Sequence, residues 1–129
     1  MVFVPSTRTP SEKLGIAEGT RLLVLGVAPN GADQWPGERV TVDADVVLVG
    51  CAAASDVVSL VPVALAARRP DGRLWLAYRL GRRDFTRTNL GEAVEARGLD
   101  LTWYRQVSLD AGWSAIWFRR RSEFRSLRR

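Results

Sequence analysis

The chain has 129 residues and a formal net charge of +5, contains no histidine and has a single cysteine, Cys51. The missing histidine excludes catalytic triads, histidine metal centres and histidine general bases, and the lone cysteine excludes an internal disulfide. The charge excess is local: Arg119 to Arg129 holds six arginines and one glutamate, so the remainder is neutral and any attraction to a polyanion centres on that stretch.

The opening "MVFVPSTRTP" has neither a basic n-region nor a sufficient apolar h-region, so no secretory signal is expected and the cytoplasm is the expected location. Ser11, after Pro10, is expected to cap a short helical turn that stops at Gly15. "RLLVLG" (Arg21 to Gly26) is apolar without alternation, as expected of a central parallel strand covered on both faces. "RVTV" (Arg39 to Val42) predicts a brief strand, and "DVVLVG" (Asp45 to Gly50) a second buried one. Ser55 and Asp56 supply cap chemistry for a helix reaching about Arg68 with Pro62 inside it. The tract Ala44 to Ala67 is long and apolar, but Asp45, Gly50, Asp56 and Pro62 interrupt it, so no membrane span is expected.

Pro70-Asp71-Gly72 predicts a turn before a strand from Arg73 to Tyr78. Arg79 to Arg87 reads as a polar loop, and Thr88 as the cap of a helix with Leu90, Ala93 and Val94 on its apolar side and Gly98 as terminator. "LDLTWYRQVSL" and "WSAIWFRR" around Asp110-Ala111-Gly112 predict an antiparallel hairpin. Strict alternation there sets Trp113, Ala115 and Trp117 on one face and Ser114, Ile116 and Phe118 on the other.

The sum is an α/β fold: a truncated Rossmann-like sheet, mostly parallel, with a C-terminal antiparallel hairpin and helices on both faces. Residues 1–118 are expected to form one domain and 119–129 an arginine-rich tail.

The succession of "DVVLVG", a helix, "RRPDGRLWLAYR", a helix ending "ARGL" and a hairpin resembles the C-terminal half of class I S-adenosylmethionine-dependent methyltransferases. There the turn before the matching strand typically reads Pro-Gly-Gly-Arg-Leu; here it is Pro70-Asp71-Gly72-Arg73-Leu74. "LGIAEGTRLLVL", "PDGRLWLAY" and "WSAIWFRR" are similar to a family of small bacterial proteins grouped as domain-of-unknown-function family 3052, a resemblance that covers nearly the whole chain and implies no assigned activity. A cofactor site on such a sheet needs several glycines after the first strand and an acidic residue about twenty positions on. Only Gly26 and Gly31 stand in this turn, Pro29 removes an amide donor, and of Asp43 and Asp45, at about that distance, Asp45 begins the next strand. No cofactor is therefore expected.

A ligand on a parallel sheet sits at the carboxyl ends of the strands, which here collects Gly26, Asn30, Gly31, Cys51 and Ser55 with Arg79, Arg82 and Arg83 from the next loop. A small anion at the helix N-terminus near Ser55 is the expected chemistry. Cys51 reads either as a thiolate stabilised by that N-terminus or as a small buried residue. No catalytic residue and no metal site is assigned. Trp113 and Trp117 with Arg119, Arg120, Arg121 and Arg125 are candidates for a protein or nucleic-acid interface. The expected function is a non-catalytic binding module with a protein partner or a second copy of itself. The alternatives are a small-molecule or adenosylmethionine-dependent enzyme using the strand-end cleft, and a nucleic-acid accessory protein using the basic tail.

Overall fold

A computed structural model describes residues 8–29, 31–96, 98–109 and 112–120. Helix α1 (Pro10–Leu14) leads into strand β1 (Arg21–Gly26). A 3₁₀ turn (Ala32–Gln34) and strand β2 (Glu38–Arg39) precede β3 (Ala44–Cys51), α2 (Ala54–Ala67) and β4 (Arg68–Arg79). Helix α3 (Arg87–Ala96) and the hairpin β5 (Leu101–Leu109) and β6 (Trp113–Arg120) complete the order. The strands form one open sheet in the order β2-β1-β3-β4-β6-β5. Strands β1 to β4 pair in parallel, and β6 runs antiparallel to both β4 and β5. The fold class is thus a mixed α/β open sheet, mostly parallel, closed by an antiparallel hairpin.

The alternating side chains of the middle strands build two cores. Val47, Val49, Leu74, Leu76, Ile116 and Phe118 face α2 and α3. Helix α2 answers with Val57, Val61 and Ala64, spaced by the helical period, and α3 with Leu90 and Val94. On the opposite face Val46, Leu48, Trp75, Ala77, Trp113 and Ala115 meet Leu14 and Ile16. Helices therefore lie on both faces, but the second is covered by α1, only five residues long. Trp75 Nε1 donates to the Leu14 carbonyl at 3.1 Å and Lys13 Nζ to the Ser108 carbonyl at 2.9 Å, fixing α1 across β4 and the hairpin.

Several boundaries move from their sequence expectations. Thr9, not Ser11, caps α1, because Glu12 at the third helical position returns a hydrogen bond to the Thr9 amide. Thr86, not Thr88, caps α3, in a reciprocal pair with Asn89. Strand β2 is Glu38–Arg39, earlier and shorter than Arg39 to Val42. With so small a neighbour, Leu23, Val24 and Leu25 are half-buried instead of covered on both faces. Pro70–Gly72 bulges within β4: the partners jump from Ala44–Arg68 to Val46–Arg73, and Arg68 Nη1 closes the bulge on the Gly72 carbonyl at 2.8 Å. Gly15 and Gly98 stop their helices with φ of 83° and 63°.

No helix among the described residues is long and apolar enough to cross a membrane.

Candidate functional site

At the carboxyl ends of β1 and β3 the main chain of one strand meets that of the other. After Gly26 the backbone folds over β3, and the Val27 amide donates to the Gly50 carbonyl at 3.2 Å. A Cβ on Gly50 would stand 1.6 Å from the Val27 oxygen, and one on Gly26 2.2 Å from the Gly50 oxygen. These two glycines let backbone approach backbone where the β1–β3 ladder ends. Gly31 lies beyond them in open space with φ of 81°, and Asn30 is outside the described residues.

The start of α2 has its own anion. Asp56 Oδ2 accepts from the Ala52 amide at 2.7 Å and the Ala53 amide at 3.1 Å, so a carboxylate already lies against the residues that lead into α2. Ser55 is exposed beside it, and its carbonyl accepts from Ser59 Oγ at 2.9 Å. Cys51, 1% exposed, donates weakly to the Val49 carbonyl at 3.8 Å. Burial, and secondarily the Asp56 carboxylate, push its thiol up to about 12 from the ordinary 9.0. The stabilised-thiolate reading therefore gives way to a neutral, packed side chain. Native protein at pH 8 is expected to resist iodoacetamide and to react only in denaturant; alkylation as fast as a free thiol's would refute this assignment.

Of the loop arginines, Arg79 and Arg83 are exposed. Arg82 grips Asp84 through two hydrogen bonds, Nε to Oδ1 at 2.9 Å and Nη2 to Oδ2. That pairing holds the Asp84 carboxyl below its usual range and cancels one of the charges expected at this edge. Asp45 lies at the opposite, amino end of β3, where it accepts from the Arg21 amide at 2.9 Å and Arg69 Nη1 at 2.8 Å. Among the described residues no three His, Cys, Asp or Glu side chains come together as a metal site.

Beneath α3 the polar groups are mutually satisfied. Gln106 Nε2 donates to Tyr78 Oη at 2.8 Å and Ser114 Oγ at 2.9 Å, Arg87 Nη1 donates to Gln106 Oε1 at 3.3 Å, and Ser114 Oγ donates to the Val107 carbonyl at 3.1 Å. The serine hydroxyl donates to a main-chain acceptor, and Gln106 ties it to Tyr78 and Arg87 in one network. Nearby, between α3 and the hairpin, a cavity of about 360 Å³ is floored by Leu101, Ile116 and Phe118 and rimmed by Arg87, Glu92 and Trp103.

A second cluster lies on the hairpin's other face. The ladder pairs Trp103 with Phe118 and Arg105 with Trp117, leaving Tyr104 as an extra residue. The bulge sends Tyr104 to the Trp117 side, ring edge to ring face, with centroids 4.7 Å apart. Trp117 in turn lies 5.6 Å from buried Trp75. Arginines lie over the rings: Arg73 at 4.4 Å from the Trp117 centroid, Arg119 at 5.0 Å from Tyr104 and 5.9 Å from Trp117, and Arg105 at 6.0 Å from Tyr104. Of the expected interface residues, Trp117 and Arg119 belong here, Arg120 is exposed at the strand end, and Trp113 is buried in the core. Arg121 and Arg125 are outside the described residues. Sequence reasoning missed Arg73, Tyr104 and Arg105; the signal was the consecutive pair Trp103-Tyr104, which breaks period-two alternation.

No family model matches the chain, and no curated protein matches it. Among solved structures, the mitomycin 7-O-methyltransferase MmcR is similar, with a TM-score of 0.40 and 20% identity over 66% of this chain. The chain spans 33% of the length of that methyltransferase.

Proposed function

We propose that this protein is a non-catalytic binding module, built on a truncated methyltransferase-like sheet and working in the cytoplasm through a macromolecular partner. The observation that supports the reading is the turn after β1, where Val27 closes directly on Gly50 and the run of glycines a cofactor-binding sheet uses is missing. The Asp56 carboxylate on the Ala52 and Ala53 amides and the neutral Cys51 agree with it. The strand, helix, strand, helix and hairpin order agrees with the resemblance to family 3052 and to the methyltransferase C-terminal half, and that membership is part of the proposal. On this reading the sheet is a scaffold for that partner.

Millimolar S-adenosylmethionine or S-adenosylhomocysteine is then expected to leave the melting temperature unchanged. A ligand present at a hundredfold its dissociation constant stabilises the folded state by about 2.7 kcal/mol, which is several degrees for a chain of this size. A concentration-dependent rise of that order would replace this reading with an adenosylmethionine-dependent enzyme.

A further inference from the structure

We propose that the Leu60 and Val63 flank of α2, with the β1–β2 surface beside it, is where a second copy of this chain docks; this names the partner of the binding-module reading and rests on it.

The surface follows from the shortness of two connections. Among the described residues, β1 reaches β2 through a 3₁₀ turn alone and β2 reaches β3 without a helix, so neither connection adds a helix beside α2 at this end of the sheet. Strand β2 is itself only two exposed residues. Leu23, Leu25 and Val40 pack against the core on the α2 side of the sheet and stay half-buried. They form an apolar shelf. Helix α2 walls one side of it. Val57, Val61 and Ala64 turn to the core, and the helical period then sets Leu60 and Val63 together on one flank. That flank is the one toward β1, because Leu60 packs against Gly26. Val63, farther out and 51% exposed, makes a ridge beside the shelf.

Shape and charge identify the occupant. A two-fold interface between identical chains needs a surface complementary to itself. Here one patch carries both halves, so the Val63 ridge of each copy can lie on the Leu23, Leu25 and Val40 shelf of the other. The only charged residue of α2 is Asp56, whose carboxylate turns back to the Ala52 and Ala53 amides, whereas α3 carries Arg87, Glu92 and Glu95. Two copies meeting through this flank set valine against leucine and desolvate no unpaired charge of α2. A polyanion would find no cation on the helix, and a small ligand is better enclosed by a cavity than by a shelf beside an edge strand.

The test weighs the full chain by sedimentation velocity across a concentration series, at low and at high salt. The expected result is a shift from one-chain to two-chain mass with rising concentration, and high salt does not abolish it, because burial of apolar surface is not screened. Val63→Lys is expected to raise the dissociation constant at least about a hundredfold, since each dimer would then bury two unpaired ammonium groups. Val40→Lys, on the shelf, is expected to act the same way. Val58→Lys is the control: Val58 is exposed on the same helix but on its opposite flank, so this variant is expected to dimerise as the parent does. Circular dichroism checks each fold; Val63 is exposed, so its variant reads out even if Val40→Lys fails to fold.

A one-chain mass at every concentration would overturn the proposal, as would Val63→Lys leaving assembly unchanged. Association lost at high salt would also overturn it and assign the contact to charged residues, and Val58→Lys matching Val63→Lys in effect would remove the assignment to this flank. Each of these outcomes leaves the binding-module reading in place with a different partner, whereas that reading falls to the adenosylmethionine shift.

Discussion

Gly50→Ala is expected to prevent stable folding, or to cost on the order of 4 kcal/mol or more where folding survives, a loss reserved for severe steric or packing damage. The added methyl carbon would lie 1.6 Å from the Val27 carbonyl oxygen and 2.5 Å from its carbon. Those are main-chain atoms, so no rotamer change relieves the clash. The segment after β1 would have to lift, breaking the Val27 to Gly50 hydrogen bond and exposing Leu60 of α2, which packs against Gly26. Gly91→Ala is the contrasting substitution. Gly91 lies within α3 with nothing near its added Cβ, so helix propensity alone decides and stability is expected to rise by roughly 0.5–1 kcal/mol. Urea denaturation of both variants measures the contrast. A Gly50→Ala midpoint close to that of the parent would show that the strand ends can open, and would reinstate the cleft.

Trp75→Ala is expected to cost about 3–5 kcal/mol, the range for deleting a buried tryptophan, and to lower the melting temperature by more than about 10 °C. Trp75 is 1% exposed, and α1 is the helix that covers its face of the sheet. Its loss orphans the Leu14 carbonyl and removes the ring beneath Trp117, so α1 and the aromatic cluster should loosen together. Trp75→Phe separates the contributions. It keeps most of the apolar surface but deletes the indole donor, which is expected to cost about 1 kcal/mol beyond the loss of volume. Amide hydrogen exchange at Gly15 and Ile16, whose amides donate to Glu12 and Ser11 carbonyls, reports whether α1 has undocked. Unchanged protection in Trp75→Ala would mean that Leu14, Ile16 and Lys13 hold the helix unaided.

The architecture was largely legible because its strongest signals are local. Unbroken apolar runs in β1 and β3, the alternation in β6 and helix-ending glycines at 15 and 98 each need only a few neighbouring residues to act. Cap positions were harder to place, since Thr9 competes with Ser11 and Thr86 with Thr88. The winner in each case is the residue whose partner three positions on returns the bond, Glu12 or Asn89. The candidate sites were less legible, because their deciding contacts are distant in sequence. Gly26 reads as a turn glycine, and nothing local in the sequence shows that Gly50 lies against it. Asp56 reads as cap chemistry, and it serves from inside the helix: the cap position is Ala53, and the carboxylate reaches back to the Ala52 and Ala53 amides. The bulge at Tyr104 lies on one strand only, and strict period-two counting passes over it.

The direction of β6 has an electrical consequence. Because it opposes β4, its last residues, Arg119 and Arg120, return to the edge where β1 and β4 begin with Arg21, Arg68 and Arg69. Positive charge thus gathers at the amino edge of the sheet, partly offset there by Asp45 and Asp71 on Arg69. At the carboxyl edge, Asp84 and Asp56 accompany the loop arginines and the helix start. In solution the molecule would turn as a charged rotor, its amino edge leading toward any polyanion before a single contact forms.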